Sequence, residues 1–266
     1  MSKEHSLRNR YYEIGIDGKS GRTIRLVNRL TGDDYLKSHD SGEMYKLYCL
    51  DLETGERVEV VPEGAASAKE EAAGDRSLLT LCFEGGRLAG AGGKSVKINA
   101  SVRIETSDDD PESLWAIEIS NQDERYEVVE ALFPYFRGFY LGKTWEDDVI
   151  IYPHHAGERT LAPVREYTSE RYLNFGRGAT TLGQDGVFSR EINYCGLASM
   201  NWMYYYDDDN GFYLASYDKD FLVTGLRVET GGPDDPWMGW GLRKYVVVKQ
   251  GETWRSNPSA VAITTK

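Results

Sequence analysis

Histidines, clustered carboxylates and aromatic rings are the side chains of this chain with chemistry to offer. His154 and His155 follow Pro153 and lead into Ala156-Gly157-Glu158. Successive strand residues point to opposite faces, so the two imidazoles are not expected to share one metal. One of them could donate a hydrogen bond or carry a proton, with Glu158 as the opposing carboxylate. The competing reading is a loop histidine satisfied by backbone. His5 is expected in the N-terminal tail, and His39 in a loop, where it carries no spacing signal.

Carboxylates are abundant, 43 Asp plus Glu in 266 residues. A glycosidase needs two acids a few ångströms apart across a sugar. Glu130, Asp147, Asp148 and Glu158 lie near expected strand ends, but nothing in their spacing selects a pair. Asp207, Asp209 and Asp218 occupy positions one, three and twelve of a calcium-loop spacing. Gly211 stands where an oxygen ligand belongs and Phe212 where glycine is required, so the expectation is a turn, with no metal and no cofactor. Gly85–Ser95 is rich in glycine, yet a phosphate loop ending at Gly93-Lys94-Ser95 needs glycine at Leu88.

The rings are more telling. Trp202, Tyr204, Trp237 and Trp240 sit among Asn201, Asp235 and Arg243. Flat apolar rings with a polar handle suit the CH patches and hydroxyls of pyranoses. These four, with His155, are the candidate sugar-binding residues; the alternative for each ring is the core.

The elements that must position them read as strands. Trp202–Tyr206 and Gly211–Tyr217 flank Asn210-Gly211, a dipeptide suited to a type I′ hairpin turn. Val96, Ile98, Ala100, Val102 and Ile104 alternate with polar residues, as do Trp115, Ile117 and Ile119. Further strands are expected over Tyr11–Asp17, Arg22–Leu30, Met44–Asp51, Val58–Val61, Ser77–Glu84, Tyr126–Phe136, Val149–Tyr152, Phe221–Glu229, Tyr245–Lys249 and Trp254–Thr265. Residues 63–76, rich in Ala and Glu without an apolar stripe, predict an exposed, helix-like or flexible excursion. Residues 157–193 mix charges, rings and glycines and predict a long functional loop. The sum is an all-β single domain over 1–266, a large antiparallel β-sandwich. No fixed-period repeat is present.

Composition narrows the partners. A net charge of −12 leaves no basic stripe to neutralise phosphate, which argues against nucleic acid and anionic membranes. Neutral sugars remain open. Three widely spaced cysteines support neither a disulfide framework nor a zinc site. The first residues lack the apolar core of a signal peptide, and no apolar run approaches spanning length. A cytoplasmic protein is expected.

Several phrases taken in order resemble a known family. They are Leu132–Gly138 (LFPYFRG), Val149–Gly157 (VIIYPHHAG), Leu197–Tyr206 (LASMNWMYYY), Gly211–Asp218 (GFYLASYD) and Asn257–Ile263 (NPSAVAI). Together, across 115–266, they resemble the N-terminal domain of multidomain bacterial glycoside hydrolases, a supersandwich of galactose-mutarotase-like type. The resemblance implies a module that packs against a (β/α)-barrel and helps wall its cleft for a neutral oligosaccharide or polysaccharide. The hydrolytic carboxylates would lie in that barrel, so no catalytic residue carries over. Related mutarotases use two well-separated histidines and a carboxylate; only the adjacent pair His154-His155 is available here. A stand-alone mutarotase-like sugar isomerase or epimerase, with His154, His155 and Glu158, is therefore the alternative, and a scaffold or interaction protein the third.

Overall fold

The computed structural model describes residues 4–36, 42–90, 92–139, 141–174, 176 and 178–265. His39, named above, lies outside them.

The chain folds into two large sheets packed face to face, with a three-stranded N-terminal sheet beside them; every strand pair within the sheets is antiparallel. Local signals explain most strands. Ile98–Ser107 and Glu112–Asn121 bury every second residue, and Trp115, Ile117 and Ile119 pair in register with Ile104, Val102 and Ala100. Glu112–Asn121 also pairs with Ser259–Thr264, which closes onto Gly211–Ser216. This ten-stranded sheet continues through Trp202–Tyr206 and Val149–Tyr152 to Glu158–Leu161 at one edge, and through Arg76–Phe83 to Ser67–Ala73 at the other.

The nine-stranded sheet is centred on Tyr126–Phe139, which lies between Lys46–Asp51 and Met238–Val248. Thr224–Thr230 and Phe188–Tyr194 extend it on the Met238–Val248 side. A register shift between Leu132 and Tyr135, around the cis Phe133–Pro134 peptide, breaks the alternation. Leu132 and Tyr135 thereby reach the same outer face and pack with Tyr48, apart from the main core.

Between the sheets lies one aromatic core. Trp240 of the nine-stranded sheet packs against Tyr205 and Phe212 of the other, with ring centroids 5.0 and 5.9 Å apart. Trp115 meets Phe136 edge-on at 5.2 Å. Truncating such a ring to alanine costs roughly 3–5 kcal/mol. Lys244 bridges the sheets differently: its buried ammonium contacts Ser216, Thr224 and, at 3.2 Å, Asp218.

Four expectations need correction. Residues 63–76 are exposed but not helical: Ser67–Ala73 is an edge strand paired with Arg76–Phe83. Its charged, non-alternating sequence suits an edge that discourages further pairing. Residues 157–193 are not one loop; they hold strands Glu158–Leu161, Thr181–Leu182 and Phe188–Tyr194 and two single-turn helices, Pro163–Glu166 and Glu170–Leu173. Asn210-Gly211 is not the centre of a two-residue turn. Tyr206 pairs with Gly211, so residues 207–210 form the connection, and Asn210 is buried with its side-chain amide donating to Asp33 and Asp207. His5 is not in a tail; it lies on strand Glu4–Arg8 and its ring meets Glu70 at 2.5 Å.

Candidate functional site

The paired histidines sit where the ten-stranded sheet meets residues 188–194. His155 has φ 53, which breaks strand alternation and brings the two rings to 4.2 Å instead of opposite faces. His155 is exposed and His154 buried. Glu158 does not face them across an open cleft. Arg190, fully buried, donates to both its oxygens at 2.8 and 2.9 Å. The guanidinium is caged by the rings of Tyr152, Tyr167 and Tyr172, 4.7 to 5.4 Å away. Burial alone would raise the Glu158 carboxyl, but bonds and charge from Arg190 outweigh it and hold it below the ordinary range. Burial and the nearby Arg190 charge lower His154. Glu158 is thus a clamped anion, which corrects its reading as an available acid or base.

The four candidate rings are not brought together either. Trp240 is 1% exposed within the core, a correction to its reading as sugar-facing. Trp237 is also buried; Arg137 lies 4.4 Å over its ring and its indole N–H donates to Asp235 at 2.9 Å. Trp202 and Tyr204 do point outward, half-buried, but on the ten-stranded sheet. The acidic knot does not converge. Asp207 accepts the backbone N–H groups of Asp209 and Asn210 at 2.7 and 2.5 Å, whereas Asp218 pairs with Lys244. Among the described residues no three His, Cys, Asp or Glu side chains are placed to hold a metal.

The most concentrated polar group was not legible in the sequence. It lies on the outer face of the nine-stranded sheet, where neighbouring strands place Glu130, Tyr135, Glu191, Arg227, Glu229 and Arg243. The Tyr135 hydroxyl donates to Glu229 at 2.6 Å, and Arg227 Nε donates to the other oxygen at 2.6 Å. Arg243 spans Glu130 at 2.6 Å and Glu191 at 3.0 Å. Arg57 adds a bidentate pair to Glu130 and lies 3.9 Å over the ring of Tyr48. Gly225 makes room for this network: a Cβ there would sit 2.6 Å from Glu191 Oε1. Burial, then the Glu229 charge, pushes Tyr135 well above the ordinary phenol range. Burial would raise Glu130, but Arg57 and Arg243 outweigh it and hold the carboxyl low. The face therefore offers fixed donors and acceptors suited to hydroxyl groups, and a hydrogen-bonded Tyr–Glu pair along which a proton could pass. The matching signal was present only as isolated Glu and Arg residues, since partners such as Tyr135 and Glu229 are 94 positions apart.

No family model matches the chain, and no curated protein matches it. Solved structures do. A GH36 alpha-galactosidase from Geobacillus stearothermophilus superposes with TM-score 0.59 at 7% identity, over 99% of this chain and 41% of that one. A putative aldose 1-epimerase from Escherichia coli K12 gives 0.56 at 9% identity, over 100% of both chains. A galactose mutarotase-like protein from Lactobacillus casei ATCC 334 gives 0.53 at 9% identity, over 99% of this chain and 100% of that one. The chain spans less than half the length of the first structures it matches. Such identities speak for the fold alone, and the fold of this chain is the galactose-mutarotase-like β-sandwich.

Proposed function

We infer that the chain is the carbohydrate-associated sandwich of a bacterial glycoside hydrolase, packing against a catalytic (β/α)-barrel domain or subunit and shaping its cleft for a neutral oligosaccharide or polysaccharide. It does not break the glycosidic bond itself. One observation carries this reading: the three carboxylates clustered around Tyr135 on the nine-stranded face are tied to arginine, Glu130 and Glu191 to Arg243 and Glu229 to Arg227. Hydrolysis needs a protonated acid and a second carboxylate opposed across the sugar. Arg57 and Arg243 hold Glu130 in its charged form, which makes it a poor proton donor at neutral pH. The likeness to the alpha-galactosidase supports the same reading at the level of fold. A cytoplasmic setting belongs with it, supported by three free cysteines.

The chain alone, offered a panel of nitrophenyl α- and β-glycosides, is expected to release no nitrophenol. Turnover that disappears in Glu229→Gln would overturn the reading. The Tyr135–Glu229 bond favours a second one, a sugar isomerase or epimerase, and the full-length match to the putative epimerase is in keeping with it. Polarimetric mutarotation of aldoses separates the two: acceleration that Glu229→Gln abolishes selects the isomerase. A protein that binds no sugar in calorimetry would instead be a scaffold.

A further inference from the structure

The outer face of the ten-stranded sheet carries features that neither the core nor the nine-stranded face accounts for. Trp202, Tyr204 and Tyr206 project outward from one strand and Tyr213 from the next. Trp202 and Tyr213 lie 6.0 Å apart, and Tyr204 stacks on Tyr206 at 5.4 Å. Tyr217, 44% exposed, donates to Glu112 at 2.8 Å. That bond crosses strand Ser259–Thr264, whose Ala262 pairs with both Tyr213 and Glu112. Two residues along from Glu112, the exposed Leu114 enters a groove of about 530 Å³. Thr80, Ser101 and Ala116 line it with the ion pairs Arg103–Glu105 (3.4 Å) and Arg255–Glu118 (2.8 Å).

We propose that this face is a binding surface for a neutral oligosaccharide, separate from the nine-stranded face and independent of the function inferred for it. The rings offer apolar planes for the CH patches of pyranoses. Each Arg–Glu pair places donors and acceptors side by side, as neighbouring hydroxyls require. The pairs cancel each other's charge, so nothing selects a phosphate or uronate, and the −12 net charge disfavours one. The groove volume falls in the range of small-ligand sites, roughly 300–1,000 Å³. From Trp202 to Arg103 the face spans four strand spacings, roughly 19 Å, which suits several linked sugars and not one.

Calorimetry with raffinose, maltotetraose, cellotetraose and xylotetraose tests this on the full chain. At least one should bind, and Tyr217→Ala and the double variant Arg103→Ala/Arg255→Ala should each raise Kd about tenfold or more. Glu229→Gln should leave that Kd unchanged. Tyr217, Arg103 and Arg255 are exposed, and an unchanged melting temperature of their variants verifies folding. Three outcomes overturn the proposal: no neutral oligosaccharide binds; binding falls only in Glu229→Gln; or the protein dimerises and Tyr217→Ala disperses the dimer, which makes the face an interface between copies. Glycosidase turnover would remove the module reading above without touching this one.

Discussion

Arg190 and Glu158 form a bidentate ion pair across the two sheets, with the arginine wholly out of solvent. The pair joins strand Phe188–Tyr194 to strand Glu158–Leu161, and Arg190 Nε also donates to the Gly178 carbonyl at 2.6 Å. It therefore pins the segment whose composition suggested a binding loop. Removing one partner leaves a buried charge uncompensated, a loss of roughly 3–5 kcal/mol. Arg190→Met should lower the urea midpoint accordingly, while Arg190→Met/Glu158→Gln should recover much of the loss. Equal destabilisation of the single and double variants would show that the ion pair is not what holds the segment.

Trp240 makes the complementary case for a ring in the core. Its neighbours Phe139, Tyr205 and Phe212 all lie within 5.0 to 5.9 Å. Trp240→Ala should cost roughly 3–5 kcal/mol in denaturant unfolding. Trp202→Ala, which trims a half-buried ring on an outer face, should cost clearly less. The reverse order would mean that the outward face, not the inter-sheet layer, dominates stability.

What could be read from the chain follows from how local each signal is. The hairpin strands Trp202–Tyr206 and Gly211–Ser216 are where the ring-rich runs place them, because strand propensity and alternation act over a few neighbours. Its connection was misread because Asn210 serves a distant partner: it is buried and accepts from Asn28 and Thr31. The strand Phe221–Glu229 begins only at Thr224, since Phe221 has φ 55 and is 80% exposed. The candidate site was invisible for a related reason. Glu130, Glu191 and Arg243 look like ordinary solvated charges until strand order brings them together, and strand order has no local signature.

Asp148 gives a pH dependence of stability. It is fully buried, with its carboxyl in contact with the Tyr205 hydroxyl and 3.4 Å from the Leu141 N–H. Burial, reinforced by the charges of Asp207 and Asp147, pushes its pKa up from 3.8 to about 8, against the lowering effect of those two bonds. The folded state thus holds a proton that the unfolded chain releases near its ordinary value. Stability from this group is present at low pH and is lost as pH rises from about 4 to about 8, on the order of a few kcal/mol. Carboxylates held low by arginine, such as Glu158, work in the opposite sense toward acid. Unfolding of wild type and Asp148→Asn should therefore be compared between pH 5 and 9. The variant should gain on wild type as pH rises; a constant difference would place the Asp148 proton elsewhere.

The Tyr135–Glu229 pair separates a role in architecture from a role in ligand contact. Tyr135 is 2% exposed and Glu229 5%, so Tyr135→Phe leaves Glu229 bonded to Arg227 and removes one buried hydrogen bond. A cost of about 1–2 kcal/mol is expected from that loss. Glu229→Gln leaves Arg227 without its 2.6 Å acceptor of full charge, although Glu191 remains 3.5 Å away. If the nine-stranded face only shapes a cleft, both variants should lose stability while the isolated chain shows no mutarotation before or after. If the face moves protons, wild type should accelerate anomer exchange, and Glu229→Gln should reduce the rate by roughly 10²–10⁴-fold. Tyr135→Phe would then lower the rate more than it lowers sugar affinity, because the hydroxyl would act on the proton and not on binding. A parallel fall in rate and affinity would instead assign Tyr135 to holding the sugar.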